Sequence, residues 1–384
     1  MGRRLLTIVL DGHEPSVAEA MMAQGDLPAL AAARRRSRRW PLDHGSARRT
    51  GLAGEHLATG LDPDAARRWS AVAFDPATYE VRQRPTGLPP FTAGRALKTV
   101  VFDAPYFDLR RGGRSRGLVA WGAHDPGIPP QGHPEGLLEE LVERFGRYEG
   151  RAWIYGFAWP SAARCREMAE RLVDGVEQRA AAAEWLLRDR LPDWRLAIVA
   201  VSEMHSANEG LWHGIDPGHP LHGHPSAAAA GEGLRAVLRA VDRLVGRLAA
   251  ACPEAALALV TPHGMGRNDA DVASMLLLPE ALHRLYRGRP AWQARADWRE
   301  ASPPLLGEAE SWEQAINDGI RPHLPLAARL RRSARRAAEP ARRPLDWMPA
   351  ARYRAAWPHM GAFALPAFYD GQIRLNLQGR EARG

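Results

Sequence analysis

Three polar clusters carry the residue types of a divalent-metal site, and each follows a run of apolar residues. The first is Asp11-Gly12-His13-Glu14, the second runs from residue 203 to 213 and contains His205 and Glu209, and the third is His263-Gly264-Met265-Gly266. Carboxylate and imidazole donors together suit a hard-to-borderline ion, zinc first and manganese second. Each cluster has a plainer explanation when taken alone. An aspartate after a strand often caps the next helix. The histidines His205, His213, His219, His222 and His224 read equally as a solvated loop, and His263 before a glycine carries little by itself. Their joint placement after strands is the signal. Thr50 is the candidate nucleophile, because it opens a short helical segment over residues 50–58 that Gly60 closes. Unpaired N–H groups at a helix start favour a phosphoryl group; a simple N-cap role is the alternative. The Gly122-Ala123-His124-Asp125-Pro126 loop adds His124 and Asp125 as candidate pocket residues.

The elements that must position these groups are legible from patterning. Residues 5–10, 99–102, 118–121, 196–201 and 256–261 are short apolar runs rich in β-branched residues, which predicts buried strands. Helical periodicity covers residues 15–22, 27–36, 136–145, 162–188 and 231–251. Strands alternating with helices predict an α/β fold with a mostly parallel sheet covered on both faces. In such a sheet, residues just past the strand ends gather along one edge, so clusters distant in sequence can share one site. Residues 286–358 lose this periodicity and read as an insertion or cap within a single domain spanning 1–384. Residues 363–377 read as two short strands.

The chain has 384 residues, 45% of them apolar and 25% charged, the balance of an ordinary globular protein. Disorder and fibre formation are excluded as general readings. No stretch approaches the roughly 18 to 20 unbroken apolar residues that span a bilayer, so no membrane association is expected. The apolar run after Arg4 reaches Asp11 too soon for a secretory core, and a cytoplasmic location is expected. Cys165 and Cys252 fall in helical segments without a metal-binding spacing. Net charge is +8, carried almost wholly by arginine, with Lys98 the only lysine. Basic runs at residues 34–39 and 329–343 leave nucleic acid as a possible but unfavoured partner. A phosphorylated small molecule is the favoured one.

The motifs resemble a known family. Ile8-Val9-Leu10-Asp11-Gly12, followed by Leu27-Pro28-Ala29-Leu30, is similar to the opening of the type I phosphodiesterase/nucleotide pyrophosphatase-like branch of the alkaline phosphatase superfamily. Thr50 stands nine residues before Thr59-Gly60, as the nucleophilic threonine or serine does there. Glu203-Met204-His205 and Glu209, then Pro262-His263-Gly264-Met265, resemble the family's later metal motifs. The likeness spans most of residues 5–285 and extends to the segment from Asp370 to Asn376. Pro262 replaces a metal-binding aspartate, Glu209 a histidine, and Ala351 stands at the family's last metal histidine, nine residues before Met360-Gly361-Ala362-Phe363.

The resemblance implies a three-layer α/β/α sandwich with an inserted cap. It implies that Asp11 and His263 hold one divalent ion, zinc or manganese, beside Thr50. His205 and Glu209 hold a second, with His213 or His359 substituting for the missing ligand and Glu203 as a further acidic candidate. Thr50 then attacks phosphorus in a phosphodiester or phosphoanhydride, and water hydrolyses the phosphothreonine. Two other readings stand beside it: a phosphatase-like domain that binds a ligand or partner without turnover, and another superfamily reaction such as sulfate-ester hydrolysis or phosphate transfer between hydroxyls.

Overall fold

The apolar runs become strands because their side chains point alternately to opposite faces. Those at 99–102 and 196–201 find cover on both, whereas the run expected to be buried at 256–261 forms an edge of the sheet and is only partly buried. The computed structural model describes residues 4–155, 161–267, 272–293, 348–367 and 370–384, with Gly319 and Leu345. Its strands are β1 (Arg4–Leu10), β2 (Val72–Asp75), β3 (Glu80–Gln83), β4 (Thr99–Phe102), β5 (Ser115–Val119), β6 (Gln131–His133), β7 (Leu196–Val201), β8 (Ala255–Val260), β9 (Ala362–Leu365) and β10 (Gln372–Leu375). The helices are α1 (Pro15–Ala23), α2 (Pro28–Arg36), α3 (Ala53–Thr59), α4 (Pro63–Ala66), α5 (Leu137–Phe145), α6 (Ala162–Trp185), α7 (Glu203–Leu211), α8 (Ala227–Ala251) and α9 (Leu278–Arg287).

The central sheet runs β6-β5-β4-β7-β1-β8. Its strands are parallel except for β6, which pairs antiparallel with β5. Alternation divides the core cleanly. Leu6, Ile8, Leu10, Val100, Phe102 and Val199 pack with α6 and α8 on one face. Val9, Val101, Val119, Ile198 and Ala200 pack with Leu52 and Ala58 on the other. The fold is thus α/β, as expected, but its outer layers are unequal. Among the described residues the long helices crowd one face, while α3 and irregular chain cover the second. No helix among them is long and apolar enough to cross a membrane.

A third core cluster joins the hairpins β2–β3 and β9–β10 through Tyr79, Val81, Trp357 and Phe363. The described ends of the expected insertion, including Ala291, Met348 and Ala351, pack into this cluster. Most of residues 286–358, and the basic run at 329–343, lie outside the described residues. The two short strands expected near the end of the chain are present. The hairpin at 72–83 and the edge strand β6 were not anticipated. Each is only three or four residues long, too short for a periodic signal.

One buried cation ties the site-bearing ends of the sheet together. Arg179 of α6 is fully buried. Its guanidinium donates to Asp103 at the end of β4 (2.7 Å), to Glu203 at the start of α7 (2.7 Å) and to the Gly122 carbonyl after β5 (2.9 Å). Asp103 in turn accepts the backbone N–H groups of Trp121 and Gly122, both at 2.8 Å. Tyr148 donates to Glu203 at 2.9 Å. Removing the cation would leave two carboxylates buried without their counter-charge, a loss that costs about 3–5 kcal/mol. Arg179→Met is therefore expected to lower the unfolding free energy by about that amount, read from chemical denaturation. A midpoint equal to the parent's would show that the carboxylates are satisfied without Arg179.

Candidate metal centre and nucleophile

Asp11 is available for chemistry because another residue caps the next helix. Glu14 accepts the Ser16 N–H (3.2 Å) and hydroxyl (2.7 Å) at the start of α1. The chain then turns at Gly12, whose φ is +68°. A Cβ there would lie 2.6 Å from the His205 Cα, so only glycine lets this loop rest on α7. Asn208 fastens the contact by donating to the Gly12 carbonyl at 2.6 Å. On α7, residues four apart share a face, which sets His205 and Glu209 side by side against the loop.

Asp11, His205, Glu209 and His263 come together around His205. Asp11 Oδ1 lies 2.9 Å from His263 Nε2, and Asp11 Oδ2 lies 3.2 Å from His205 Nδ1. The other edge of the same ring faces Glu209, with Nε2 3.6 Å from Oε1. Glu209 Oε2 is 3.4 Å from His124 Nε2. The His124 and His205 rings stack at 3.8 Å and 17°, which turns both Nε2 atoms toward one carboxylate. Two groups thus have donor atoms close enough to share an ion: Asp11, His205 and His263, and His124, His205 and Glu209. They come from the ends of β1, β5, β7 and β8, the edge where parallel sheets build sites.

The electrostatics follow from this packing. Burial would raise the Asp11 carboxyl, but the charges and hydrogen bonds of His205 and His263 reverse that and hold it well below its usual range. Burial would depress His205, yet Asp11 and then Glu209 raise it well above an ordinary imidazole. Glu209 is likewise opposed by burial and held far down by His124 and His205. Each carboxylate is therefore ionised at neutral pH, the state a cation needs.

The remaining candidates lie elsewhere. Glu203 is taken up by Arg179 and Tyr148 and belongs to neither donor group. His213 hydrogen-bonds Ser226 Oγ at 3.0 Å, and burial lowers its pKa to about 4; it sits with His219, His222 and His224 away from Asp11. His359 is exposed, in the turn Trp357–His359, and Ala351 is buried in the third core cluster. The Pro262 carbonyl is bonded by His44 Nε2. Asp125 lies beside His124 rather than among the inner donors, with Oδ2 3.8 Å from His124 Nδ1, and it accepts the Tyr155 hydroxyl at 3.1 Å.

Thr50 departs from its expected setting. It closes a 3-10 turn, Gly45–Arg49, and α3 begins three residues later at Ala53. Thr50 Oγ1 accepts the Leu52 N–H at 3.1 Å, and its other hydrogen-bond contacts are the Ala47 carbonyl and His56. Sequence reasoning missed His56, Tyr155, Ser202 and Asn208. Ser202 supports His124 by accepting its N–H at 3.2 Å. None of these belongs to a ligand motif, so their contacts show only in the folded chain.

No family model matches the sequence, and no curated protein matches it. Solved structures similar to this chain include those of phosphonoacetate hydrolase from Sinorhizobium meliloti 1021, in complex with phosphonoformate and with phosphonoacetate. Both are 17% identical to this chain, with TM-scores of 0.42 and 0.41, and the match covers 79% of this chain but only 66% of that enzyme. The case for function lies with the site's own residues.

Those residues fit a divalent ion in donor type and spacing, and the shared ligand limits how many. A neutral imidazole has one nitrogen lone pair, so His205 serves Asp11's side or Glu209's side, not both at once. Zinc titration should therefore saturate at one ion per chain. His205→Ala, which breaks both groups, should weaken zinc binding by more than roughly tenfold, since losing even an outer-shell partner of a ligand typically costs about 10- to 100-fold. Equilibrium dialysis with metal analysis reads both. Saturation at two ions would mean that donors beyond these two groups take part.

Proposed function

We propose that this chain is a metal-dependent hydrolase of a phosphodiester or phosphoanhydride, with Thr50 as nucleophile. The observation that carries the reading is the gathering of Asp11, His205, His263, Glu209 and His124 at the ends of four strands. Half-buried carboxylates facing imidazoles in this way are a common means of holding zinc or manganese. Asp11, His205 and His263 would hold the ion, which would supply Lewis-acid stabilisation to the phosphoryl oxygens. The chain's own groups do the rest. Thr50 Oγ1 attacks phosphorus and is later released from it by water. The Leu52 N–H, already bonded to Oγ1, supports the oxygen as it gains charge. Asp125 and Tyr155 keep His124 in place, the carboxylate–imidazole support typical of metal sites.

The substrate is read as a phosphorylated small molecule. Net charge of +8 attracts anions in general. The basic run at the end of α2 argues little for nucleic acid, since Arg34 and Arg39 both pair with Glu19, at 3.2 and 3.1 Å.

A second reading, a phosphatase-like domain that binds without turnover, draws on Pro262 and Ala351, which supply no side-chain ligand where the resembling family has one. Hydrolysis of bis(4-nitrophenyl) phosphate separates the two. Purified protein loaded with zinc or manganese should release nitrophenolate, and a chelator should stop it. Thr50→Ala should abolish that release while metal content and unfolding midpoint stay at parental values. Metal-loaded protein without turnover would favour the binding domain, and full activity in Thr50→Ala would remove Thr50 from the chemistry.

A further inference from the structure

Beside Thr50 stands a group that neither the metal motifs nor the resemblance assigns. His56 Nε2 lies 3.1 Å from Thr50 Oγ1, and His56 Nδ1 lies 2.8 Å from the Leu61 carbonyl. A carbonyl oxygen only accepts, so Nδ1 carries the hydrogen. Burial above all pushes the imidazole below its ordinary value; the Leu61 carbonyl and Asp62 oppose this, while His44 and Arg68 add to it. In the neutral ring, Nε2 therefore bears the lone pair and faces a hydroxyl.

We infer that His56 is the general base that takes the Thr50 hydroxyl proton, an assignment that rests on the reading of Thr50 as nucleophile. The local fold is built to hold the pair. Gly60 ends α3 at φ +72°, and its N–H returns to the His56 carbonyl at 2.8 Å. That reversal brings the Leu61 carbonyl under the imidazole and fixes its tautomer. At the other end, Oγ1 receives the Leu52 N–H at 3.1 Å. A base on one side and a backbone donor on the other suit an oxygen that must lose a proton and carry charge. The Ala47 carbonyl, 2.9 Å from Oγ1, competes for the single hydroxyl proton. It cannot act as a base at neutral pH. His56 can.

The step balances with bis(4-nitrophenyl) phosphate as substrate. The Oγ1–P bond forms, the P–O bond to one nitrophenyl group breaks, and nitrophenolate leaves with the bonding pair. The hydroxyl proton passes to His56 Nε2 and makes the imidazolium. Water then attacks phosphorus, the P–Oγ1 bond breaks, and Oγ1 recovers the proton from His56. The proton released by the water goes to solvent.

The test compares the parent with Thr50→Ala, His56→Ala and His56→Gln, all zinc-loaded, on that diester. Nitrophenolate release and the mass of the quenched protein report turnover and phosphothreonine formation; zinc content and unfolding midpoint report the scaffold. His56→Ala should lose roughly 10²- to 10⁴-fold in kcat, the usual worth of a general base, with parental zinc content. Added imidazole should restore part of the rate. His56→Gln, which keeps a polar side chain but cannot take the proton, should stay slow. If Thr50→Ala is dead while both His56 variants keep rates within about threefold of the parent, the base is not His56 and the nucleophile stands. Recovery of the full rate by His56→Gln would reduce His56 to a spacer and overturn the inference. An inactive parent, or an active Thr50→Ala, would remove the nucleophile reading and this assignment with it.

Discussion

The buried guanidinium of Arg179 is the constraint on which the site's shape depends. It lies in α6, away from the donor groups, yet it binds the ends of β4 and β7 and the loop after β5 in one charge-assisted network. A buried charge is tolerated only when its partners are well placed, so the network admits few alternative arrangements. The consequence reaches the chemistry through the chain itself. Asp103 fixes Trp121 and Gly122, which lead to His124, and Glu203 fixes the first turn of α7, which presents His205 and Glu209. Three sequence-distant segments are thereby held in register before any ligand is bound. Preorganisation of this kind is what a metal site needs from its scaffold.

Within the site, charge is balanced by contact. Asp11 and Glu209 each face imidazole, and His205 stands between them with one nitrogen toward each. Every carboxylate is therefore held ionised by a neighbour that would itself prefer, when buried, to be neutral. A cation entering on either side would take over the role that the proton on His205 plays. His124 arrives from a different strand end and completes a second donor group with His205 and Glu209.

Thr50 and the metal donors approach the matter from different parts of the chain. The donors follow strands of the central sheet, whereas Thr50 sits in the turn before α3, on the more thinly covered face. Its environment is set locally, by the 3-10 turn before it and the tight reversal at Gly60 after it. Thr50 Oγ1 meets its own neighbours in sequence, Ala47, Leu52 and His56.

Much of the scaffold was legible in the chain of residues. Strand runs such as residues 196–201 and long helices such as α8 are continuous apolar patterns, and periodicity survives any tertiary context. That the clusters holding Asp11, His205 and His263 lie at one edge followed from strand ends, because a parallel sheet gathers those ends together. What sequence could not settle was choice among equals. Five histidines crowd residues 205–224, yet only His205 meets Asp11, because Gly12 and Asn208 clamp the first loop to that one turn of α7. Glu203 and Glu209 look alike as ligands until Arg179 claims the first. α2 has no side-chain cap of its own, and the Asp242 carboxylate of α8 supplies it from afar, accepting the Leu30 N–H at 2.7 Å. Local pattern thus determined which elements form and where reactive residues emerge. Long-range hydrogen bonds and ion pairs decided which of those residues meet, since they depend on distances that only the packed chain defines.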